Sequence, residues 1–343
     1  MRIAAPTRLP RSLMVWLSVA GVLMLAAPAP PDPPTTTEHE AAIMQRTTDM
    51  VVRDARQWQQ DHGDRWLPWD KAEGHLAIVI DDVGRELHLF DQLLALRYRL
   101  TFSVLPGSVY APGVQLRLRG DRRRYREIML HLPMQPSDPA KMHQGAEASE
   151  QFLRIDDTPV QLRAKVEAAL ARVPAAVGVN NHMGSALTRE PEAMVEVMGV
   201  LAPRGLFFLD SRTIGDTQAE AVACAAGVST LSRDVFLDHD PSAEAIRAAL
   251  DDAAQQSRER PVVAIAHPSV AVVEVLRRRL PQLYAEGVAV YPVSRLLAAQ
   301  GARAGEPSGP TVPQGDPVQK SDPEAPSGRP NTGLGSAPAA APS

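Results

Sequence analysis

Short apolar runs alternate with amphipathic segments along the middle of this 343-residue chain. Strands that are buried on both faces of a sheet appear in sequences as runs of this kind. The segments between the runs carry apolar residues at helical spacing, and one of them opens with the capping-box residues Thr158 and Gln161. Such alternation predicts about eight strands in a parallel sheet, joined by right-handed helical connections.

The polar residues that end the apolar runs extend this prediction. Six runs finish in aspartate, asparagine or histidine residues or carry them close to their ends: LAIVIDD, EIMLHLPM, VGVNNHMGS, LFFLDSRT, RDVFLDHD and VVAIAHP. In a barrel all strands end around one mouth, which brings such residues together better than an open sheet would. We therefore predict an α/β fold, a distorted (β/α) barrel of about seven to eight mostly parallel strands over residues 75–300.

The two ends of the chain differ from this central region. Residues 1–29 contain three arginines, a short apolar stretch and then small residues, a pattern that is typical of a secretory signal peptide or N-terminal anchor. We therefore expect an exported, periplasmic or cell-envelope protein, which is tethered to the membrane if the signal is uncleaved. Residues 30–74 are expected to form a linker with one short helix, and the Pro-, Ala- and Gly-rich residues 301–343 a disordered tail.

Composition narrows the function only slightly. The formal net charge of −4 gives no reason to expect a nucleic-acid partner. The single cysteine, Cys224, excludes an internal disulfide framework. Because Cys224 lies in an alanine-rich helical stretch, we expect it to be a buried apolar residue and not a nucleophile.

Asp81 and Asp82 end the first strand and are candidates for acid–base or metal chemistry. Adjacent side chains on an extended chain point to opposite sides, so one carboxylate could bind a cation while the other accepts a proton from water. The same sequence, DDVG, is also compatible with a turn in which an aspartate caps the next helix. The residues alone leave both interpretations open.

Three histidines lie at the ends of three other strands. His131 and His182, taken with an acidic residue, match the two-histidine, one-carboxylate set that binds a divalent metal and leaves positions open for water and substrate. Taken singly, each is more often a hydrogen-bonded structural histidine. His267 could donate a proton to a leaving group, or it could simply precede the next helix without a catalytic part.

Further polar residues at the strand ends are candidates for substrate binding or for support of the metal ligands. They could equally form turns or ion pairs that brace the rim. They are Asn180, Asn181, Asp210, Arg212, Arg233 and Asp234, with Asp238 as a further supporting residue.

Seven motifs in the central region resemble, in sequence and in order, the divergent polysaccharide deacetylase family. They are IDDVG, TFSVLPGSVYA, EIMLHLPMQP, GVNNHMGS, GLFFLDSRT, RDVFLD and AIAHP, and the similarity runs from His75 to Leu297. The resemblance implies a distant branch of the polysaccharide deacetylases, which are metal-dependent carbohydrate esterases on a distorted (β/α) barrel. It also implies an envelope carbohydrate, peptidoglycan or another acetylated glycan, as the partner.

The resemblance assigns roles by position. IDD matches the acidic motif of the wider family, which implies that Asp81 is the catalytic base and Asp82 a metal ligand. His131 matches the first histidine of the family's His-x-x-x-His motif. His267 matches the histidine that acts as the acid.

The chain departs from the family pattern after His131. Gln135 occupies the place of the second histidine, and Pro133 would disrupt the helical turn that lets two histidines share one metal. We expect His182 to supply the second histidine ligand instead. The family's Arg-Pro-Pro-Tyr element is not evident in this sequence.

Two functions are compatible with these motifs. The first is an exported, metal-dependent hydrolase, with Zn²⁺ as the metal, that removes acetyl groups from an envelope carbohydrate. The second is a catalytically inactive, deacetylase-like protein of the cell envelope that binds a glycan or acts as a scaffold, since some family elements are missing. We favour the enzyme, because three histidines at converging strand ends are hard to explain by packing alone.

Overall fold

The computed structural model describes residues 36–120, 124–143 and 151–304. The predicted signal or anchor over residues 1–29 lies outside these ranges, as does nearly all of the predicted tail over residues 301–343. Both therefore stay predictions.

The chain divides into two compact units, Met1–Trp58 and Gln59–Ser343. The described part of the first unit belongs to one helix, α1 (Thr36–His62), which is longer than the short helix expected from the sequence. Its apolar side chains Ile43 and Met44 are 50% and 63% exposed. None of the described helices is both long and apolar enough to cross a membrane.

Strands and helices alternate through the second unit, largely where the apolar runs and amphipathic segments predict them. In chain order they are β1 (Gly74–Val83), α2 (His88–Leu94), β2 (Thr101–Val104), α3 (Ala111–Gly120), β3 (Glu127–Met134), α4 (Pro159–Arg172), β4 (Gly178–Met183), α5 (Pro191–Leu201), β5 (Phe207–Asp210), α6 (Ala219–Ala225), β6 (Thr230–Ser232), β7 (Val235–Phe236), α7 (Ala243–Gln256), β8 (Val262–Ala266), α8 (Val270–Ala285), β9 (Val288–Val290) and α9 (Val293–Ala304).

The strands form one parallel sheet that curls into a barrel. Their order is β6-β5-β4-β3-β2-β1-β8-β7, and β9 pairs with the first residues of β1. Only Arg233 and Asp234 separate β6, which pairs with β5, from β7, which pairs with β8. The closing segment, residues 230–236, therefore joins the two outer ends of the sheet. The predicted distorted (β/α) barrel of mostly parallel strands is confirmed.

The sheet separates two apolar clusters. Ile78 and Ile80 of β1 face outward and pack with residues of the surrounding helices. Ala77 and Val79 face inward, where they belong to a second cluster with Ile265 of β8. This division follows from the alternation of side chains along a strand, and it fills the barrel interior below its mouth.

A layer of polar side chains follows the inner apolar cluster at the carboxyl ends of the strands. Alternation places the following residues at the next inward positions of β1, β3, β4 and β8: Asp81, His131, Asn180 and His267. Gly178, two residues before Asn180, leaves space for the ring of Phe207, since a Cβ atom at Gly178 would lie 2.3 Å from that ring. The fold thus collects the polar strand ends at one mouth.

Two local predictions have different outcomes. The capping box of α4 is confirmed, since Gln161 donates its backbone N–H to Thr158 Oγ1 and Thr158 donates its backbone N–H to Gln161 Oε1. The prediction that Cys224 is buried is wrong. Helix α6 turns Ala219 and Ala223 toward the core and leaves Cys224 exposed.

Candidate metal centre

The carboxyl end of β1 brings two adjacent carboxylates to the same cluster. The pairing of β1 with β2 shifts register between Ile80 and Val83, and Asp82 has a left-handed backbone with a φ of 55°. The expectation that Asp81 and Asp82 point to opposite sides is therefore wrong, because it holds only for an extended chain. Asp81 Oδ2 lies 3.7 Å, and Asp82 Oδ1 lies 3.2 Å, from His131 Nε2.

The pairing of β3 with β4 brings the two histidines together. His131 lies opposite Asn180, and His182 is two residues further along the same face of β4. His182 Nδ1 is 3.1 Å from His131 Nε2 and 2.9 Å from Asp82 Oδ1. Pro133 lies within β3, opposite His182, so the chain after His131 is extended and forms no helical turn there.

The three ligand atoms form a triangle with edges of 2.9, 3.1 and 3.2 Å. Metal–ligand bonds of about 2.0–2.2 Å that diverge by roughly 90–110° separate ligand atoms by about 2.8–3.6 Å. Asp82 Oδ1 is also buried without a well-oriented hydrogen bond from the described residues, although both histidine nitrogens are close to it. Asp82, His131 and His182 therefore fit a divalent metal with two nitrogen ligands and one oxygen ligand.

Burial and neighbouring charges shift the pKa values of the three candidate ligands in different directions, and metal binding requires an ionised aspartate and neutral histidines. Burial raises the pKa of Asp82, but its close contacts with His131 and His182 outweigh burial and hold the pKa well below its usual range. Burial lowers the pKa of His182, and the contact with Asp82 offsets this only in part. Burial also lowers the pKa of His131, but the charge of Asp81 and the contact with Asp82 outweigh it, so the pKa is raised. Metal binding to His131 therefore has to compete with protonation of the ring.

A buried asparagine connects the base candidate to a metal-ligand candidate. Asn180 Oδ1 lies 2.9 Å from His131 Nδ1, and Asn180 Nδ2 donates to Asp81 Oδ1 at 2.9 Å. Ser103 also donates to this Oδ1, and Nδ2 donates to Ser211 Oγ at 3.1 Å. Both polar atoms of the carboxamide thus make hydrogen bonds to other side chains of the site, which favours a supporting role for Asn180. Sequence reasoning missed Ser103 and Ser211, because their contacts with Asn180 depend on how the strands are aligned.

His267, after β8, pairs with Asp238, which follows β7. His267 Nδ1 lies 3.2 Å from Asp238 Oδ2, and the backbone N–H of His267 donates to the same oxygen at 2.8 Å. Burial lowers the pKa of His267, but the bond to Asp238 and the charge of Asp81 outweigh it and raise the pKa to about 9. The ring is therefore protonated at neutral pH, as a general acid must be. The partnership was not predicted, because it depends on the pairing of Phe236 with Ile265 two residues earlier.

The remaining charged residues of the rim make contacts other than the two ion pairs that the sequence allows, Asp210 with Arg212 and Arg233 with Asp234. Arg212 donates its backbone N–H to Asp210 Oδ1 at 2.8 Å. Arg233 donates its guanidinium to two backbone carbonyl oxygens, one of them that of Arg212. Asp234 forms an ion pair with Arg260 at 2.7 Å. These contacts brace the rim through backbone groups and through a residue outside the predicted set.

Asn181 stabilises the turn that follows β4. Its Nδ2 donates to the carbonyl oxygen of Met183 at 2.7 Å, and its Oδ1 accepts the backbone N–H of Ser211 at 2.9 Å. Met183 and Gly184 have positive φ angles of 56° and 92°. Asn181 therefore holds a tight turn directly beyond His182, which agrees with its interpretation as a turn former.

A parallel (β/α) barrel with a carboxylate–histidine cluster at its mouth defines a class of barrel proteins with a candidate metal-dependent active site. Residues 78–297 match the divergent polysaccharide deacetylase family, and the chain belongs to that family. The resemblance inferred from the motifs is therefore confirmed. Membership supports a hydrolase of the deacetylase type at the level of the family, and the cluster of Asp82, His131 and His182 is a candidate metal site.

Relatives and a solved structure agree with this assignment. An uncharacterized protein of Haemophilus influenzae is 34% identical over 215 residues, which are 62% of this chain and 74% of that protein. The uncharacterized protein YibQ of Escherichia coli is 36% identical over 211 residues, which are 61% of this chain and 63% of YibQ. The crystal structure of an uncharacterized protein from Agrobacterium tumefaciens C58 has a TM-score of 0.60 at 21% identity, and covers 68% of this chain and 92% of that one. It supports the fold alone.

Proposed function

We propose that this protein is an exported, metal-dependent hydrolase that removes acetyl groups from an envelope carbohydrate, peptidoglycan or another acetylated glycan. The observation that carries the proposal is the cluster of Asp82, His131 and His182, whose ligand atoms all lie within 4.8 Å of one another. Asp81 lies beside this cluster, and the pKa of His267 is raised in part by the charges of Asp81 and Asp82. A base, an acid and a set of metal ligands are thus assembled at one mouth.

The ligand atoms favour zinc as the metal. Asp82, His131 and His182 offer two imidazole nitrogens and one carboxylate oxygen, a set that suits Zn²⁺ better than Mg²⁺ or Ca²⁺, which prefer oxygen ligands. When bound, such an ion supplies a Lewis acid that polarises a carbonyl group and lowers the pKa of water. The low pKa of Asp82 keeps this ligand ionised for the ion.

Asp81 is placed to act as the general base. Its Oδ1 accepts a hydrogen bond from Asn180, which leaves Oδ2 toward the cluster, 3.7 Å from His131 Nε2. As water attacks the acetyl carbonyl carbon, Asp81 accepts one proton from that water.

His267 is placed to act as the general acid. When the bond between the acetyl carbon and the sugar nitrogen or oxygen breaks, His267 donates its proton to that leaving atom. The deacetylated sugar and acetic acid are released, and the acid loses its remaining proton to solvent as acetate. The carboxylate of Asp238 stabilises the charged ring before this transfer. One proton enters Asp81 and one leaves His267, so exchange with solvent restores both residues.

The proposal is tested on the full chain with metal analysis and acetate release. We expect about one Zn²⁺ per chain, lost in His131→Ala and in His182→Ala. His88→Ala is the matched control, because His88 lies exposed on α2, where its ring contacts Gln92, so the zinc content should not change. Zinc retained in both site variants would overturn the metal assignment.

Acetate release separates the enzyme from the glycan-binding alternative. Zinc-loaded wild-type protein should release acetate from acetylated chitooligosaccharides or peptidoglycan fragments, and Asp81→Asn should abolish release while it retains zinc. Zinc-loaded protein that binds these glycans without releasing acetate would reject the hydrolase and support a binding or scaffolding role.

Export is proposed from the composition of residues 1–29. Cell fractionation of the full chain should recover it outside the cytoplasm, in the periplasm after cleavage or in the membrane fraction if the segment is retained. Recovery from the cytoplasm would refute this part of the proposal.

A further inference from the structure

The carboxamide of Asn180 occupies an unusual position, because it contacts four polar side chains while it is fully buried. Its oxygen faces His131 Nδ1 and accepts the hydroxyl of Ser103. Its nitrogen donates to Asp81 and to Ser211. One planar group thus touches the proposed base on one side and a proposed metal ligand on the other.

The carboxylate of Asp81 determines which way this amide faces. Asn180 Nδ2 donates to Asp81 Oδ1 at 2.9 Å, because a carboxylate oxygen accepts hydrogen bonds and the amide NH₂ can only donate them. Rotation of the amide by half a turn would place its oxygen against the carboxylate oxygen and lose this bond. The amide oxygen therefore faces His131.

The amide oxygen in turn determines the tautomer of His131. An amide oxygen can only accept, so the proton of the neutral ring lies on Nδ1, 2.9 Å from Asn180 Oδ1. His131 Nε2 then carries the lone pair. This is the atom that lies 3.2 Å from Asp82 Oδ1 and 3.1 Å from His182 Nδ1, at the corner of the ligand triangle.

We infer that Asn180 is a positioning residue that serves two groups with one carboxamide: its NH₂ holds Asp81, and its oxygen selects the Nδ1-protonated form of His131. The inference rests on the proposed hydrolytic function, in which Asp81 is the base and His131 a metal ligand. Because the two contacts use different atoms of Asn180, substitution can separate them.

Two variants of Asn180 make this separation. Asn180→Asp keeps an acceptor for the Nδ1 proton of His131, and a carboxylate behind a metal-bound histidine supports metal affinity. The same variant replaces the NH₂ that holds Asp81 by a second carboxylate oxygen, and the repulsion between the two carboxylates displaces the base. Asn180→Leu has a similar size and removes both contacts.

Zinc affinity, measured by competition with a chelator, is compared with kcat and KM for acetate release from an acetylated chitooligosaccharide. Asn180→Asp should bind zinc within about threefold of wild type, with kcat lower by at least about 100-fold and little change in KM. Asn180→Leu should bind zinc about 10–100-fold more weakly. Thr101→Val is the matched control, since it removes a buried hydrogen bond to Glu127 inside the same barrel and should lower only the unfolding temperature.

A purely structural role for Asn180 gives a different pattern. Equal loss of zinc affinity in Asn180→Asp and Asn180→Leu, or wild-type affinity in Asn180→Leu, would overturn the inference. If Asn180→Leu does not fold, the zinc affinity and kcat of Asn180→Asp and the tautomer of His131 still distinguish the positioning role of Asn180 from a purely structural one.

The tautomer is read from the ring ¹⁵N signals of His131 in the metal-free protein, at a pH where the ring is neutral. We expect the proton on Nδ1 in the wild type and in Asn180→Asp. A wild-type proton on Nε2 overturns the inference whatever the activity. If the wild type releases no acetate, the proposed function fails, while the tautomer of His131 still tests the positioning role of Asn180 independently.

Discussion

The ion pair between His267 and Asp238 allows a direct test of how the barrel prepares its acid. Asp238→Asn replaces the carboxylate by an amide of the same shape, whose oxygen can still accept the backbone N–H of His267. The charge is lost while the local hydrogen bonding is largely kept. We expect the pKa of His267 to fall, because a neighbouring negative charge favours the protonated ring.

The contacts of the ring set the size of this change. The pKa of His267 is raised from 6.5 to about 9, although burial lowers it, because the bond to Asp238 and the charges of Asp81 and Asp82 outweigh burial. One close carboxylate typically changes a pKa by about 1–3 units. Since the side chain of His267 is 42% exposed, solvent screening favours the low end of that range. We therefore expect a fall of about 1–1.5 units in Asp238→Asn.

The assay is an NMR titration of the histidine Cε1–H signals in the metal-free protein, with His267→Gln to assign the resonance. Asp234→Asn is the matched control, because Asp234 follows β6 in the same closing region but pairs with Arg260 instead of His267. In Asp234→Asn the pKa of His267 should equal that of the wild type. A wild-type pKa near 6.5, or an equal pKa in Asp238→Asn, would refute the reasoning.

The same shift gives the sign of a pH effect on stability. His267 has a higher pKa in the folded chain than in the unfolded chain, so its ion pair stabilises the fold fully below pH 6.5. This contribution is lost as pH rises through about 9. The free energy of unfolding, measured in urea, should therefore fall more over this window in the wild type than in Asp238→Asn.

Three further predictions concern the rest of the barrel. Arg126→Met should lower the free energy of unfolding in urea by about 3–5 kcal/mol, because it removes the guanidinium 2.8 Å from Asp64, whose side chain is only 3% exposed. The further change Asp64→Leu should recover most of the loss, and no recovery would contradict this account. Gly178→Ala should lower the free energy of unfolding by about 1–3 kcal/mol in the same assay, because its Cβ would lie 2.3 Å from the ring of Phe207. Phe207→Leu should reduce that loss, and an unaltered stability of Gly178→Ala would rule out the clash. Zinc at about 100 times its Kd should raise the free energy of unfolding by about 2.7 kcal/mol, as measured by calorimetry; His182→Ala should abolish this gain, and an equal gain in the variant would place the ion elsewhere.

The fold could be predicted because its signals are local and repeated. Apolar runs, helix caps and chain alternation each favour the same parallel barrel, and Thr158 and Gln161 form the predicted cap. The inward positions of Asp81 and His267 follow from the same alternation. The conformation of Asp82 could not be predicted, because its left-handed φ of 55° arises from a local irregularity in the pairing of β1 with β2.

Partners within the site depend on register, which the sequence does not record. Gln135 in the usual place of the second histidine points to His182 as the ligand, yet the contact of His182 with His131 follows from the alignment of β3 with β4. Asp234 and Asp238 are four residues apart in RDVFLDHD, so strand alternation gives them the same side of the chain, and their neighbours are similar. Only the pairing of β7 with β8 decides that Asp238 reaches the histidine.

The candidate ligands Asp82, His131 and His182 lie on three strands, so binding of a metal there would depend on correct folding. A slip of one residue between β3 and β4 would turn Asn180 and His182 out of the barrel and present Asn181 and Met183 in their place. Such a chain could not complete the ligand triangle, and it would lack the free energy that a bound ion would contribute. A bound ion would therefore favour the correct alignment of the strands, because it would stabilise only those molecules in which β4 has its native register.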